Sequence, residues 1–416
     1  MNNVVERALL FISLFLFSAP VWGSPFHLNT TLLSQVRQND KNETEIPLNG
    51  YLGMGLRRPD GRFSGESDMR FFRDLDRSLD DYDLYQTVLH VRPRESFQID
   101  FGRQFLNPGF STGIIDGLQL TLNPTENFRI GTYGGIPRRV EEGDFHHHDQ
   151  LLSGLFLDWQ NGSGFQARLS TAWQKNDWGE TDLGRNDEIR VGSSLSYLFS
   201  GSMRPLISGL VEYETGSKTL ETGTLGVDMA PFSIVSIGIE GNYFNANRES
   251  TRRSILSLFS EGELITGRFS SNWILIKNFL DLTQSYSYQW MEVREADHRR
   301  AHLLEIGFPF SLENLELDFG PQYSFAKSFG GDVHGIRFFV YKTLLKKGYG
   351  ELSFDYATYD KITSDNDSAF STIVWTGYEF PHNLRLSIGG EYNRNNLLER
   401  DVRGSLKLEY RYGSIL

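Results

Sequence analysis

The chain contains no cysteine. No disulfide can staple it, and thiol chemistry or covalent haem attachment within it is excluded. Beyond its N-terminal segment it also lacks a long apolar run. The greasiest stretch, WILIKNFL (273–280), is broken by Lys277 and falls well short of the ~20 residues of a transmembrane helix. Heptads and long helical stripes are missing too, which argues against bundles and coiled coils. Basic residues are the minority, 41 Lys and Arg against 53 Asp and Glu, for a net charge of −12. That balance argues against general nucleic-acid binding. No G-x-S-x-G, Walker loop or strand-to-helix G-x-G-x-x-G occurs, so the chain reads as a non-enzyme.

The first residues, MNNVVERALLFISLFLFSAPVWG, read as a secretory signal peptide. Arg7 marks a weak basic start, Ala8 to Phe17 an apolar core too short for a bilayer, and Val21 and Gly23 the small residues before cleavage at Ser24. Residues 1–23 are therefore set apart, and residues 24–416 form one unit.

Alternation with period two fills that unit, the signature of strands. Phe165, Ala167, Leu169, Thr171 and Trp173 alternate with Gln166, Arg168, Ser170, Ala172 and Gln174. Leu406, Leu408, Tyr410 and Tyr412 alternate with Ser405, Lys407, Glu409 and Arg411. Such runs last about ten residues or more, longer than the five or six of globular strands. Their second face carries full charges. A strand of about nine to eleven residues, apolar on one side and polar on the other, matches a tilted transmembrane strand. The aromatics, 13% of the chain, include Trp173, Trp290 and Tyr412 near strand ends, where interfacial girdles lie. A soluble sandwich or propeller also alternates, but strand length and the signal peptide favour the membrane.

Ten tight connections, from PDG (59–61) to PHN (381–383), alternate with eleven longer or more polar ones. This predicts an all-β fold: a single antiparallel up-and-down barrel of 22 strands in the outer membrane, with no plug domain. Both termini fall on the short-turn side, the periplasmic side of such barrels. The count requires a strand from Glu66 to Asp76, whose alternation is poor, so 20 and 24 strands stay open.

One hairpin breaks its own pattern. In FQIDFGRQFLNPGFSTGIIDGLQLTL (97–122), Phe97, Ile99, Phe101, Leu118, Leu120 and Leu122 share a parity with Arg103 and Asp116. An arginine on the lipid face costs about 2–4 kcal/mol at the bilayer midplane. Constant index sums across a hairpin put Arg103 opposite Asp116. Each adjoins a glycine, Gly102 or Gly117, and strand glycines mark bulges. A bulge there is expected to turn both charges to the lumen as a structural ion pair. The competing arrangement keeps both at the outer rim without a bulge.

The motif "FGRQF…IIDGLQL" resembles the Gly-Arg-Gln … Asp-Gly/Ala-Leu pattern of bacterial outer-membrane barrels of the porin and alginate-export type. It is also similar to delta-proteobacterial porin-like barrels that accompany multihaem cytochromes. The resemblance covers about 20 residues and implies a pore of about 16 to 22 strands. Three functions follow as expectations: a porin-like channel for small polar solutes or ions, a sheath for an electron-conducting cytochrome, or an export channel for polysaccharide or small molecules. The mixed sign of the inward charges counts against the last. No cofactor belongs to this chain, and haem would come only from partners. Expected partners are outer-membrane lipid and multihaem cytochromes or identical subunits. His146, His147 and His148 are the weak candidates for a metal, since three neighbours converge only in a loop. DLDRSLDDYD (74–83) reads as a charged loop tip, and RRSILSLFSEGELI (252–265) as a partly apolar outside loop.

Overall fold

The computed structural model describes residues 26–38, 44–75, 79–106, 113–138, 151–175, 188–216, 218–245, 263–293, 297–328, 331–344, 347–361, 364–395 and 400–413. The signal-peptide boundary, His146 to His148 and most of the 252–265 segment lie outside them.

Twenty-two long strands form one closed antiparallel sheet. The first six are β1 (Phe26–Gln38), β2 (Pro47–Arg57), β3 (Phe63–Asp74), β4 (Leu79–Arg94), β5 (Phe97–Leu106) and β6 (Gly113–Thr125). Then come β7 (Phe128–Arg138), β8 (Leu151–Gln160), β9 (Phe165–Lys175), β10 (Glu188–Leu198) and β11 (Leu206–Glu214). Next are β12 (Thr219–Phe232), β13 (Val235–Asn245), β14 (Glu263–Ile276), β15 (Leu280–Val293) and β16 (Asp297–Gly307). The last six are β17 (Leu317–Ser328), β18 (Gly331–Leu344), β19 (Gly348–Lys361), β20 (Ser364–Phe380), β21 (Leu384–Arg394) and β22 (Asp401–Tyr412). Thr44–Glu45 and Phe310–Leu312 extend the ladder beside β1 and β15. Among the described residues the only helical pieces are the 3₁₀ turns Glu313–Leu315 and Pro381–Asn383.

Each strand pairs with its sequence neighbours, and β1 closes the sheet on β22 from Leu28↔Tyr412 to Val36↔Gly404. The ten expected tight connections all fall at or beside strand ends at one end of the barrel, the turn end; the one expected at PF (231–232) lies two residues on, at Ser233 and Ile234. The longer connections gather at the loop end. The weakly patterned segment is strand β3, paired with β2 over its whole length, so the count is 22. Its alternation is poor because Ser67 sits on the apolar parity. The Ser67 hydroxyl lies 2.8 Å from the Thr87 hydroxyl on β4, which satisfies it without water. The 74–83 segment is a connection only in part: Asp74 ends β3, Leu79 to Asp83 belong to β4, and residues 76–78 lie outside the described residues.

The two parities separate as expected. Outward positions carry large exposed apolar side chains, such as Leu225 (63% exposed), Ile239, Ile336, Val374, Ile388 and Val402. A soluble protein would not expose such a band, whereas lipid-facing barrel walls require one. Outward rings line the turn end in contact: Trp159–Phe165 at 5.0 Å, Tyr197–Phe199 at 4.3 Å, Phe310–Phe319 at 5.0 Å and Phe26–Tyr412 at 6.4 Å. A second set lines the loop end, including Phe354–Phe370 at 5.1 Å and Phe370–Tyr392 at 5.7 Å. Two girdles a strand length apart fit a bilayer's two interfaces.

Candidate functional site

The inward parity makes the wall of the lumen, and it is polar. Along β13 to β16 it runs through Ser236, Glu240, Arg268, Ser270, Asn272, Thr283, Ser285 and Glu305. A recess of about 520 Å³ lies in this wall, bordered also by Asp228 and Gln322. Period-two alternation places every second residue there, so the lumen lining follows from the register.

Several inward cations are tied to carboxylates on the same or neighbouring strands. Asp158 on β8 holds Arg129 on β7 and Arg168 on β9. Both guanidinium carbons also lie over the Phe156 ring, at 5.5 and 5.7 Å. Arg190 on β10 meets Glu188 at 2.9 Å, Glu221 at 3.5 Å and Glu212 at 3.8 Å. Arg337–Asp355 (2.5 Å), Arg403–Asp401 (2.6 Å) and Lys407–Glu409 (3.1 Å) continue the pattern toward the closing seam. His90 lies 2.6 Å from Asp100, and Arg70 reaches Asp83 at 3.4 Å and Asn49 at 3.0 Å. The wall thus carries both signs, interleaved across strands.

The Arg103–Asp116 pair is present and bidentate: Arg103 Nε donates to Asp116 Oδ1 at 2.7 Å, and Nη2 donates to Oδ2 at 2.9 Å. A third residue joins it. Arg138 Nε donates to Asp116 Oδ2 at 2.8 Å, and Arg103 Nη1 donates to the Leu84 carbonyl at 2.9 Å. The expected bulge is not at this hairpin. The register runs unbroken from Phe97↔Leu122 through Gly102↔Gly117 to Leu106↔Gly113. Arg103 therefore stays on the outward parity between Phe101 and Phe105, which are 61% and 53% exposed. The trio lies near the loop end, where the charge cost falls to about 0–1 kcal/mol, and its donors are satisfied internally, so nothing forces a flip.

The bulge occurs one strand over. Between Asp68↔Gln86 and Met69↔Leu84 an extra residue, Tyr85, enters β4. Beyond it the parity of β4 switches, which brings Asp83 to the inward side against Arg70. Gly102 has another task. Its φ is +123°, open only to glycine at small cost, and a methyl there would run into the Thr87 carbonyl oxygen. A methyl on Gly117 would strike the Gly134 carbonyl and lie 2.7 Å from Gly135 Cα. The two glycines let neighbouring backbones close up beneath the trio.

Behind the trio, on the lumen side, the usual order is reversed. Leu106, Ile115, Tyr133 and Phe156 form a buried cluster with Leu152 packed against it. Sequence pattern missed Arg138, although a constant index sum places it diagonal to Asp116 on the same face. Among the described residues, no three His, Asp or Glu side chains are arranged to hold a metal.

No family model matches the chain, and no curated protein matches it. Solved structures do. The translocation pore of the P pilus usher PapC shares 9% identity over 94% of this chain and 100% of that chain, with a TM-score of 0.51. OpdO of Pseudomonas aeruginosa shares 11% identity over 94% and 97%, with a TM-score of 0.49. OpdQ of the same organism shares 11% over 94% and 99%, also at 0.49. These likenesses concern the fold, a large closed barrel. None of the three is described as an alginate exporter or a cytochrome conduit.

Proposed function

We propose that this chain is an outer-membrane channel of porin type, passing small polar solutes or ions. The observation that carries the reading is the division of the closed wall: exposed apolar side chains outside between two aromatic girdles, and charged and hydroxyl side chains inside. A lipid-facing outer surface with a hydrated inner one has a use only where the barrel spans a membrane. The turn end, where both β1 and β22 have their outer limits, then faces the periplasm. The likeness to a translocation pore supports the barrel architecture, and the solute class rests on the wall itself. The test is conductance of the purified, haem-free protein in planar bilayers. Discrete steps that persist without partners are expected. A folded, heat-modifiable protein that inserts and gives no conductance would overturn the channel, and co-eluting haem absorbance would favour the cytochrome sheath instead.

A further inference from the structure

The outward face of β15 to β18 carries cations of a different kind from those in the lumen. Register places Trp290 opposite Arg300, Tyr288 opposite His302, and His302 opposite Lys327. It also places His334 opposite Phe325. All belong to the parity of Ile265 (45% exposed) and Ile336 (53% exposed), the outward one. Arg300, Lys327 and His334 are exposed. They lie within the last few residues of their strands at the loop end.

Two ring pairs frame them. Tyr286 Oη is 2.7 Å from His302 Nδ1, and Tyr323 Oη is 2.8 Å from His334 Nδ1. The Tyr288 and Phe325 rings pack on the same two imidazoles at 5.1 and 4.8 Å. These bonds hold the imidazoles within the aromatic girdle. On the same outer surface, Arg103 and Arg138 share Asp116, so their charge is answered within the protein. Arg300 and Lys327 have no carboxylate within ion-pair distance among the described residues. The outward acids nearby are Asp332, across from Lys327, and Glu292 on β15. Neither makes an ion pair with the two cations. Since His302 faces Lys327, Arg300 sits on its diagonal, within reach of long side chains on the same face.

We propose that Arg300 and Lys327 bind the phosphate of an anionic glycolipid in the leaflet at the loop end, with the Tyr–His pairs packing against its sugar and upper acyl chains. The inference rests on the membrane-spanning reading above. Two cations without a partner among the described residues, placed where a bilayer presents phosphates, are stabilised by that leaflet. Each contributes about 1 kcal/mol near an anionic surface, so together they are worth roughly 10- to 30-fold in affinity.

The test uses the full chain refolded in phosphatidylcholine nanodiscs doped with lipid A, with bound lipid read by native mass spectrometry. Wild type is expected to retain lipid A over phosphatidylcholine. R300Q/K327Q is expected to retain it about tenfold less. The charge-keeping R300K/K327R and the lumen variant K407Q are expected to retain it within about threefold of wild type. Equal retention by R300Q/K327Q and wild type would overturn the site, as would equal losses in R300Q/K327Q and R300K/K327R. Heat-modifiable migration checks folding in each case. A wild type that never inserts would take down the membrane reading and this site together, whereas insertion without lipid preference would remove this site alone.

Discussion

Asp116 is the residue on which the outward trio depends. One carboxylate serves two guanidinium groups, so its removal leaves two cations side by side on a half-buried surface. Breaking a fully buried pair costs about 3–5 kcal/mol, and this site is partly exposed, so D116N is expected to cost about 2 kcal/mol. Urea unfolding of the refolded barrel in detergent, followed by the heat-modifiable band, measures this. R103Q should cost less, because Arg138 still answers Asp116. Gly102→Ala should be worse than either for folding, since it meets both a left-handed φ and a carbonyl oxygen. Its folded yield is expected to drop several-fold, and a yield equal to wild type would refute the backbone argument. At this scale the sequence was only partly legible. Index sums located the Arg103–Asp116 pair because register in a hairpin is arithmetic. The same arithmetic reached Arg138, but a single basic residue at a strand end carries no mark of its own. The facing of the pair was misread because a glycine beside a misplaced charge suits a bulge and a close backbone approach equally well.

Strand β4 shows what one inserted residue does to an element. Tyr85 shifts the pairing with β3 by one, and Asp81 and Asp83 on its far side face inward as a result. Deleting Tyr85 would make the ladder regular while keeping Met69 opposite Leu84 and Arg70 opposite Asp83, so the two acids stay inward; they would turn toward lipid only if Tyr85 were kept and paired with Met69. The expected outcome for the deletion is therefore a folded, heat-modifiable species, as for Tyr85→Phe, and its loss would refute this account of the bulge. Nothing in the local sequence marks this bulge, because no glycine or proline stands at it. Strand existence was far more legible. The turns carry Gly, Pro and Asn clusters, and the long alternating runs between them leave few alternatives. β3 was the exception, and Ser67 explains it: a hydroxyl bonded to the Thr87 hydroxyl can occupy an apolar-parity position that pattern reading expects a hydrocarbon to fill.

Across the whole molecule, the lumen carries Arg190 against Glu188, Glu212 and Glu221, with Glu214 beside them on β11. Carboxylates outnumber the cation in this sector, and the chain as a whole is at −12. A channel with this wall is expected to prefer cations, most visibly at low ionic strength where screening is weak. Reversal potentials across a salt gradient measure the preference. E212Q/E221Q should reduce it, and an unchanged or rising cation preference would show that the narrowest part of the path lies elsewhere. Whole-molecule architecture was the most legible level, because strand number and closure follow from counting turns. The contents of the lumen and the tuning of its charges were not, since they depend on side chains brought together from strands far apart in sequence.

Closure also has a consequence in time. The seam that completes the wall joins β1 to β22, so its nine paired positions link the two extremes of the chain. Until the last strand is synthesised and delivered, the first has an open edge, and every intermediate has two. Assembly therefore cannot finish on the ribosome's schedule. A chain that stops before β22 presents a pair of unsatisfied ladders to any neighbour, and the C-terminal strand acts as the latch that ends this exposure.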